Sequence, residues 1–529
     1  MYNDCVFSSK NRYSGDVIIL SLLTKYTMSE KFKDTFYNIR FIYFCLLLIY
    51  TLCREIVPIY DIVNSELLSY FFFGIGLLLI ITAFIIDYKL FLKRHSLILI
   101  SFITVCMLSS IININLGLID NLKAIGWMTI YFFVAYFCAI TPHKNSSHYI
   151  TIISSVIVVS LGIFVICSIP MYLYNVDYTY YNFNAANITS NQGFSSVYVR
   201  LWGVFNEANR GAVYSLIGLA SSIYLFITKK RVLIRIFTAV SALSFLVFIV
   251  LSQSRTALLI SLATCAWCAF YLAFKFLSYK ITKKLVLSIL AAIASIIVFY
   301  SAFSILQFTL PYAKRFVYNN TSFSTLVSIH KGYDKVYQNT SLNIVGGIWD
   351  DEFIENLKDK YHSNSSLDPD TNSQDELLEY EELHRTDVNK DNNITNGRIK
   401  RWVDGLKIFT TTPIWGTSPR YVSNYAKIHC PETYIAKYDY VVHNGYLEVL
   451  VGTGLLGFIP ILLILISAVF VCIKKLFNQK FDSKFMFMVL IAITFLCMSV
   501  LQTEVFFILT FGGSLFWYSL GHISHLEEE

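Results

Sequence analysis

Charge is scarce in this chain of 529 residues. Asp, Glu, Lys and Arg together make up 15%, against about a quarter in soluble domains. With 55% of residues apolar, an ordinary soluble globular protein is excluded. Cysteine is nearly missing from the long polar stretch 309–444, which holds only Cys430. That stretch cannot close a disulfide within itself. The other cysteines lie mostly in or beside apolar runs. Cys265 and Cys268 have CxxC spacing, but zinc needs two further ligands and a thioredoxin-like site needs a soluble βαβ setting; they read as small packing residues. No HExxH or paired CxxC pattern stands in the polar stretch, and neither a catalytic metal nor a cofactor is expected. The net charge of +7 is scattered over short loops, a topology signal and not a nucleic-acid footprint. Within residues 1–39 the apolar patch Val17 to Leu23 is too short to span a membrane, and no cleavable signal peptide is evident.

Apolar runs of bilayer-crossing length recur along the chain. Twelve are expected, near 40–59, 65–86, 96–115, 122–140, 149–173, 208–228, 232–252, 256–278, 285–308, 445–473, 485–501 and 503–520. The last two also read as one hairpin with Gln502 and Glu504 at its turn. These runs are solidly apolar, which argues against a barrel of alternating strands. The expected fold is an all-α polytopic membrane protein of about twelve transmembrane helices with one large periplasmic loop domain. Basic residues fill alternate loops, for example Lys89, Lys93 and Arg94, or Lys229, Lys230 and Arg231; the intervening loops hold few. By the positive-inside rule the basic set is cytoplasmic. The expected organisation is a cytoplasmic segment 1–39, helices one to nine over 40–308, a periplasmic loop 309–444, helices ten to twelve over 445–520 and a cytoplasmic tail 521–529.

The middle of the large loop, 350–391, is rich in Asp, Glu, Asn and Ser and reads as a solvated insert. Its end, RIKRWVDGLKIF over 398–409, places Ile399, Trp402, Leu406 and Phe409 three and four apart. That predicts an amphipathic helix, capped by Asn396 and ended by Pro413 and Gly416, on the membrane surface or docked on the spans. In DVNKDNNITNGR the residues Asp387, Asn389, Asp391 and Asn393 copy the start of a calcium loop. Asn392 replaces its glycine and Arg398 its closing acid, so an Asn/Asp-rich turn is the better reading.

Three arginines fall on the expected outer side: Arg200, Arg255 and Arg398. Arginines at span ends can simply snorkel to the interface. Grouped with His443 they suit a diphosphate, because the guanidinium fork binds phosphate oxygens bidentately. His443 and Asn444 open the last long apolar segment, VVHNGYLEVLVGTGLLGF. Imidazole accepts a proton near neutral pH, although an interface histidine with a structural role fits the same position. Trp349, Tyr380, Trp402, Trp415 and Tyr421 could stack on sugars; as loop aromatics they read more readily as core or interface.

Four segments, RLWGVFNEANRGA, SQSRTALLI, NGRIKRWVDGLKIFTTTPIWGTSP and HNGYLEVLVGTGLLGF, together resemble the O-antigen ligase/polymerase superfamily of bacterial envelope glycosyltransferases. The likeness covers about 200–458. It implies a metal-independent glycosyltransferase in the bacterial cytoplasmic (inner) membrane, with both termini cytoplasmic and an undecaprenyl-diphosphate glycan as donor. His443 matches the catalytic histidine. Arg398, on the loop helix, is assigned with it to catalysis and also to the diphosphate, alongside Arg200 and Arg255. Asn206, Asn209 and Asn444 are expected to position substrate. The acceptor is another glycan, for a polymerase, or lipid A–core, for a ligase; a protein hydroxyl and a transporter are lesser alternatives. Membrane lipids and a chain-length regulator are the further partners expected, and nucleic acid is not. The chain departs from the family pattern at Glu207, in a missing proline beside it, and in the acidic insert.

Overall fold

The structure, a computed structural model, describes residues 30–140, 146–173, 200–320, 397–478 and 482–525, with short strands between 179 and 195. The insert 350–391, the calcium-like run, Asn396, Trp349, Tyr380 and residues 1–29 lie outside the described residues.

Helices dominate because a backbone in hydrocarbon must satisfy its own hydrogen bonds. They run α1 (Glu30–Cys53), α2 (Glu66–Ile86), α3 (Arg94–Ile112), α4 (Leu118–Ile130, extended by a π turn and a last turn to Ile140), α5 (Ser146–Leu173), α6 (Ala208–Thr228), α7 (Val232–Leu251), α8 (Arg255–Phe276) and α9 (Ile281–Asn320). In the loop and after it come α10 (Arg398–Thr411), α11 (Val422–His429), α12 (Tyr434–Tyr438), α13 (Gly445–Phe477), α14 (Ser483–Leu501) and α15 (Phe511–His525). Two small antiparallel ladders, Thr179–Tyr181 with Ser190–Gln192 and Phe194–Ser195 with Arg200–Leu201, precede α6.

Among the described residues eleven helices are long and apolar enough to cross a membrane. The fold is the expected all-α polytopic one, with a correction at its end. The run 503–520 is not a twelfth long span: residues 502–510 leave the helix, and α15 has 15 residues. The cause is local. Glu504 is fully buried there, and its carboxylate accepts from the backbone N–H of Gly512 at 3.2 Å. The first helix also starts earlier than expected, at Glu30.

The core is aromatic. Phe132 packs edge-on to Trp517 at 4.5 Å and Phe44 stacks on Tyr518 at 4.9 Å, joining α1, α4 and α15. Exposed Leu67, Phe71, Leu233 and Ile297 face outward from α2, α7 and α9, as a lipid-covered surface requires.

A second, smaller core sits on the loop end of the bundle. Ile408, Ala426, Ile435, Val442 and Val451 are buried together, so α10 docks on α13. Its buried face is only partly the one predicted: Trp402 and Phe409 pack on this core. Ile399 and Leu406 are exposed, while Asp404, Gly405 and Ile408 are buried. Gly405 decides the rotation, because a side chain there would press on Val442 at 3.2 Å. The Asp404 carboxylate is matched by accepting from the N–H of Tyr434 at 2.7 Å. The helix opens after Gly397 in a left-handed conformation.

Candidate active site

Helix α13 is two helices in one. Gly454, at φ 63° and ψ −167°, breaks it in a region open essentially to glycine alone. A break frees backbone groups, and the loop after α10 satisfies them. Leu455 N donates to Pro413 O at 2.8 Å, Thr417 N to Val451 O at 2.9 Å and Ser418 N to Gly452 O at 3.0 Å. From the bundle, Ser109 Oγ donates to Gly452 O at 3.0 Å. Two of the motifs singled out in the sequence, PIWGTSP and VGTGLLGF, are thus one interlocked structure. It ties α10 to the start of α13.

Asn444 caps that start: its Oδ1 accepts from the N–H of Tyr446 at 3.0 Å and of Leu447 at 3.1 Å. The preceding His443 takes φ 55°, which disfavours most side chains. The ring is half-buried. Burial first, then the charges of Arg401, Arg398 and Arg210, push its pKa down to about 4. The imidazole is therefore neutral at neutral pH. Burial also lowers the pKa of Arg398, Glu207 opposes this, and Arg255 and Arg401 add to it. Arg398, Arg401 and Arg255 thus form a group of like charges, of which Arg401 and Arg398 act on His443. Such a group is unfavourable alone and favours an anion.

Arg210, in the first turn of α6, works differently. Its guanidinium reaches Glu55 at 3.1 Å, Glu504 at 3.4 Å and Glu207 at 3.5 Å. Tyr214 Oη donates to Glu504 at 2.7 Å, and Gln502 Nε2 donates to Glu207. Arg210 is matched by carboxylates; on the loop side Arg401 lies over the Tyr440 ring at 4.4 Å, and Glu207 offsets the charge of Arg398.

The asparagines mostly build backbone. Asn209 Oδ1 accepts from Ser254 Oγ at 2.8 Å, and Ser254 Oγ caps α8 by accepting from Ala257 N at 3.1 Å. Through this pair α6 holds the tip that carries Arg255. Asn206 N donates to Glu55 O at 2.8 Å. Arg200 lies in the last short strand, and its side chain is outside the described residues. Sequence reasoning did not single out Arg401, Arg210, Glu55 or Glu504 as site residues. Arg401 was the legible one, since a residue three after Arg398 shares its helix face.

Beside the Arg210 network opens a polar cleft of ≈ 510 Å³, lined in part by Glu55, Asn206 and Arg210 but not by His443. A separate, almost wholly apolar cavity of ≈ 740 Å³ runs from Tyr446 between α13 and α14 to Phe477.

The fold and these geometries define a polytopic helical membrane protein with an imidazole and guanidinium group at one end of its bundle. Residues 239–462 match the family model described as O-antigen ligase. That match covers less than half of the chain and supports the O-antigen ligase/polymerase superfamily and a membrane enzyme of that type. The matched segment contains Arg255, Arg398, His443 and Asn444; Arg200, Asn206 and Asn209 precede it. Among curated proteins no match is found.

Proposed function

We propose that this enzyme transfers a glycan from a polyprenyl diphosphate to an acceptor sugar hydroxyl at the extracytoplasmic face of the bacterial cytoplasmic membrane, as a surface-polysaccharide polymerase. One observation carries the reading: a neutral imidazole held among guanidiniums at a helix start. His443 takes the proton from the acceptor hydroxyl as its oxygen bonds to the anomeric carbon. The bond from that carbon to the diphosphate oxygen breaks, and the leaving diphosphate takes the electron pair. Arg398, Arg401 and Arg255, with Arg200, stabilise that charge, the role a divalent cation plays elsewhere. Asn444 and Asn209 position the base and Arg255 by holding the helix starts beside them. The apolar cavity beginning at Tyr446 suits the lipid tail, which fixes the sugar at the interface and lowers the cost of orientation. Charge is concentrated at the loop end, not along a path through the spans, which disfavours a transporter.

The large loop and a composition rich in Phe, Tyr, Ile and Asn suit an enzyme fitted to one particular glycan, which favours polymerase. The description of the matched family favours ligase, with lipid A–core as acceptor. The same base and arginines serve both. A deletion strain separates them: core carrying one repeat marks a lost polymerase, while bare core with long chains on carrier lipid marks a lost ligase. His443→Asn tests the chemistry, since asparagine tolerates the left-handed backbone but cannot take the proton. The protein should reach the membrane at normal levels and give the deletion banding. Wild-type banding from this variant rules the base assignment out.

A further inference from the structure

We infer that the polar cleft beside the Arg210 network is a saccharide subsite that receives the acceptor glycan. This rests on the glycosyl-transfer reading and adds a place for its second substrate. The cleft has the volume of a small-ligand site, about 300–1,000 Å³, and its lining suits a sugar. Tyr60 and Tyr421 are half-buried aromatic walls, able to meet the C–H face of a ring. Asp120, Asn206 and Arg420 supply polar contacts among them.

Two of these residues point to a missing ligand. Asn206 Oδ1 is buried and has no hydrogen-bond partner among the described residues, although its backbone is fixed on Glu55. A buried acceptor left unmatched is costly; Asn206 is half-buried and lines the cleft, so a turn of its amide presents Oδ1 to a hydroxyl donor there. Arg420 is exposed and has no ion pair among the described residues, yet its own N–H is anchored on Asn121 Oδ1 at 2.9 Å. Tyr421 is a rigid wall: its hydroxyl donates to Asp120, and its ring lies on Gly117. A Cβ at Gly117, which has φ +90°, would stand 2.2 Å from that ring.

The chemistry separates this occupant from the donor. The cleft carries both signs, Arg54, Lys123, Arg210 and Arg420 with Glu55 and Asp120; Arg210 is matched by Glu55, Lys123 lies 3.8 Å from Asp120 and Arg54 Nε donates to Asn64 at 2.7 Å, so a diphosphate is better served by Arg255, Arg398 and Arg401. The polar lining does not suit a lipid tail. Arg210 lines the cleft and its charge reaches His443, so one side chain is common to the cleft and to the surroundings of the base.

The test uses full-length protein in nanodiscs with two probes. One is the water-soluble repeat-unit oligosaccharide released from the host's own surface polysaccharide; the other is undecaprenyl diphosphate. Wild type should bind both. Arg420→Ala and Asn206→Ala should each weaken oligosaccharide binding by about tenfold or more, while thermal stabilisation by undecaprenyl diphosphate stays unchanged; in turnover the loss should appear in acceptor KM and not in kcat. Retained diphosphate stabilisation shows that a variant is folded. Wild-type oligosaccharide affinity in both variants, or no oligosaccharide binding by a wild-type protein that performs transfer, overturns the subsite. So does parallel loss of both probes, which would make the cleft part of the donor site. Transfer that persists in His443→Asn instead overturns the glycosyl-transfer reading itself.

Discussion

His443 makes a measurable claim about acid. The groups facing it are Arg401 and Arg398 from α10 and Arg210 from α6, with the Glu448 carboxyl accepting from its backbone N–H. Burial and the three cations all disfavour imidazolium, so in the free enzyme the base form persists down to about pH 4. The acid limb of kcat/KM reports the free enzyme and should lie nearer 4 than the ordinary imidazole value of about 6.5. Removing one cation with Arg401→Ala should raise that limb. The rise is partial, because burial is the larger cause. A bound diphosphate places negative charge among the same cations, so the limb in kcat should lie above the limb in kcat/KM. Superimposable pH profiles for wild type and Arg401→Ala contradict this account. The same displacement affects folding. The unfolded chain takes up the proton near 6.5 and the folded chain near 4, so this residue's contribution to stability is lost as pH falls through that window.

Helix α13 shows how a motif can be visible while its purpose is not. HNGYLEVLVGTGLLGF and TTPIWGTSP stood out by their glycines and by the resemblance they carry. That each completes the other's backbone could not be read, because the link between residues 413–418 and 451–456 is made by main-chain groups, which every residue type shares. The face of α10 was misjudged in part, at Ile399 and Leu406, for a related reason. Hydrophobicity favours Ile399 and Leu406, but the close approach at Gly405 and the bond from Tyr434 to Asp404 set the rotation. Gly454→Ala tests the interlock. Its Cβ would fall 2.2 Å from Ile414 O, in a backbone region costing a non-glycine residue about 1–3 kcal/mol before any clash. The variant should melt several degrees lower in detergent and should lose transfer, since the α10 arginines lose their fixed relation to His443. A Gly454→Ala protein with wild-type melting and wild-type polysaccharide would show that the break is incidental.

Across the bundle, the helices and most of their limits followed from apolar runs alone, since lipid permits little else. The recognisable motifs likewise supplied the candidate site residues. The network around Arg210 was not, because its members, Glu55, Glu207, Arg210 and Glu504, come from three distant parts of the chain and each alone reads as an interface residue. Yet the network joins the segment after α1, the start of α6 and the linker before α15, which is why the run at 503–520 could not form one straight span. Its loss should therefore differ in kind from loss of a loop-side arginine. Arg210→Ala leaves Glu55 and Glu504, whose side chains are 6% and 0% exposed, without their cation. Breaking such a buried pair costs about 3–5 kcal/mol, so little Arg210→Ala protein should accumulate and what remains should melt early. Arg398→Ala instead relieves a crowd of like charges. It should accumulate normally and melt no lower than wild type, while transferring no glycan. Membrane abundance and detergent melting of the two variants, read together with polysaccharide banding, check this. Equal abundance and melting for both would mean that Arg210 belongs functionally with the arginines of the loop and that the three carboxylates do not depend on it to hold the bundle together.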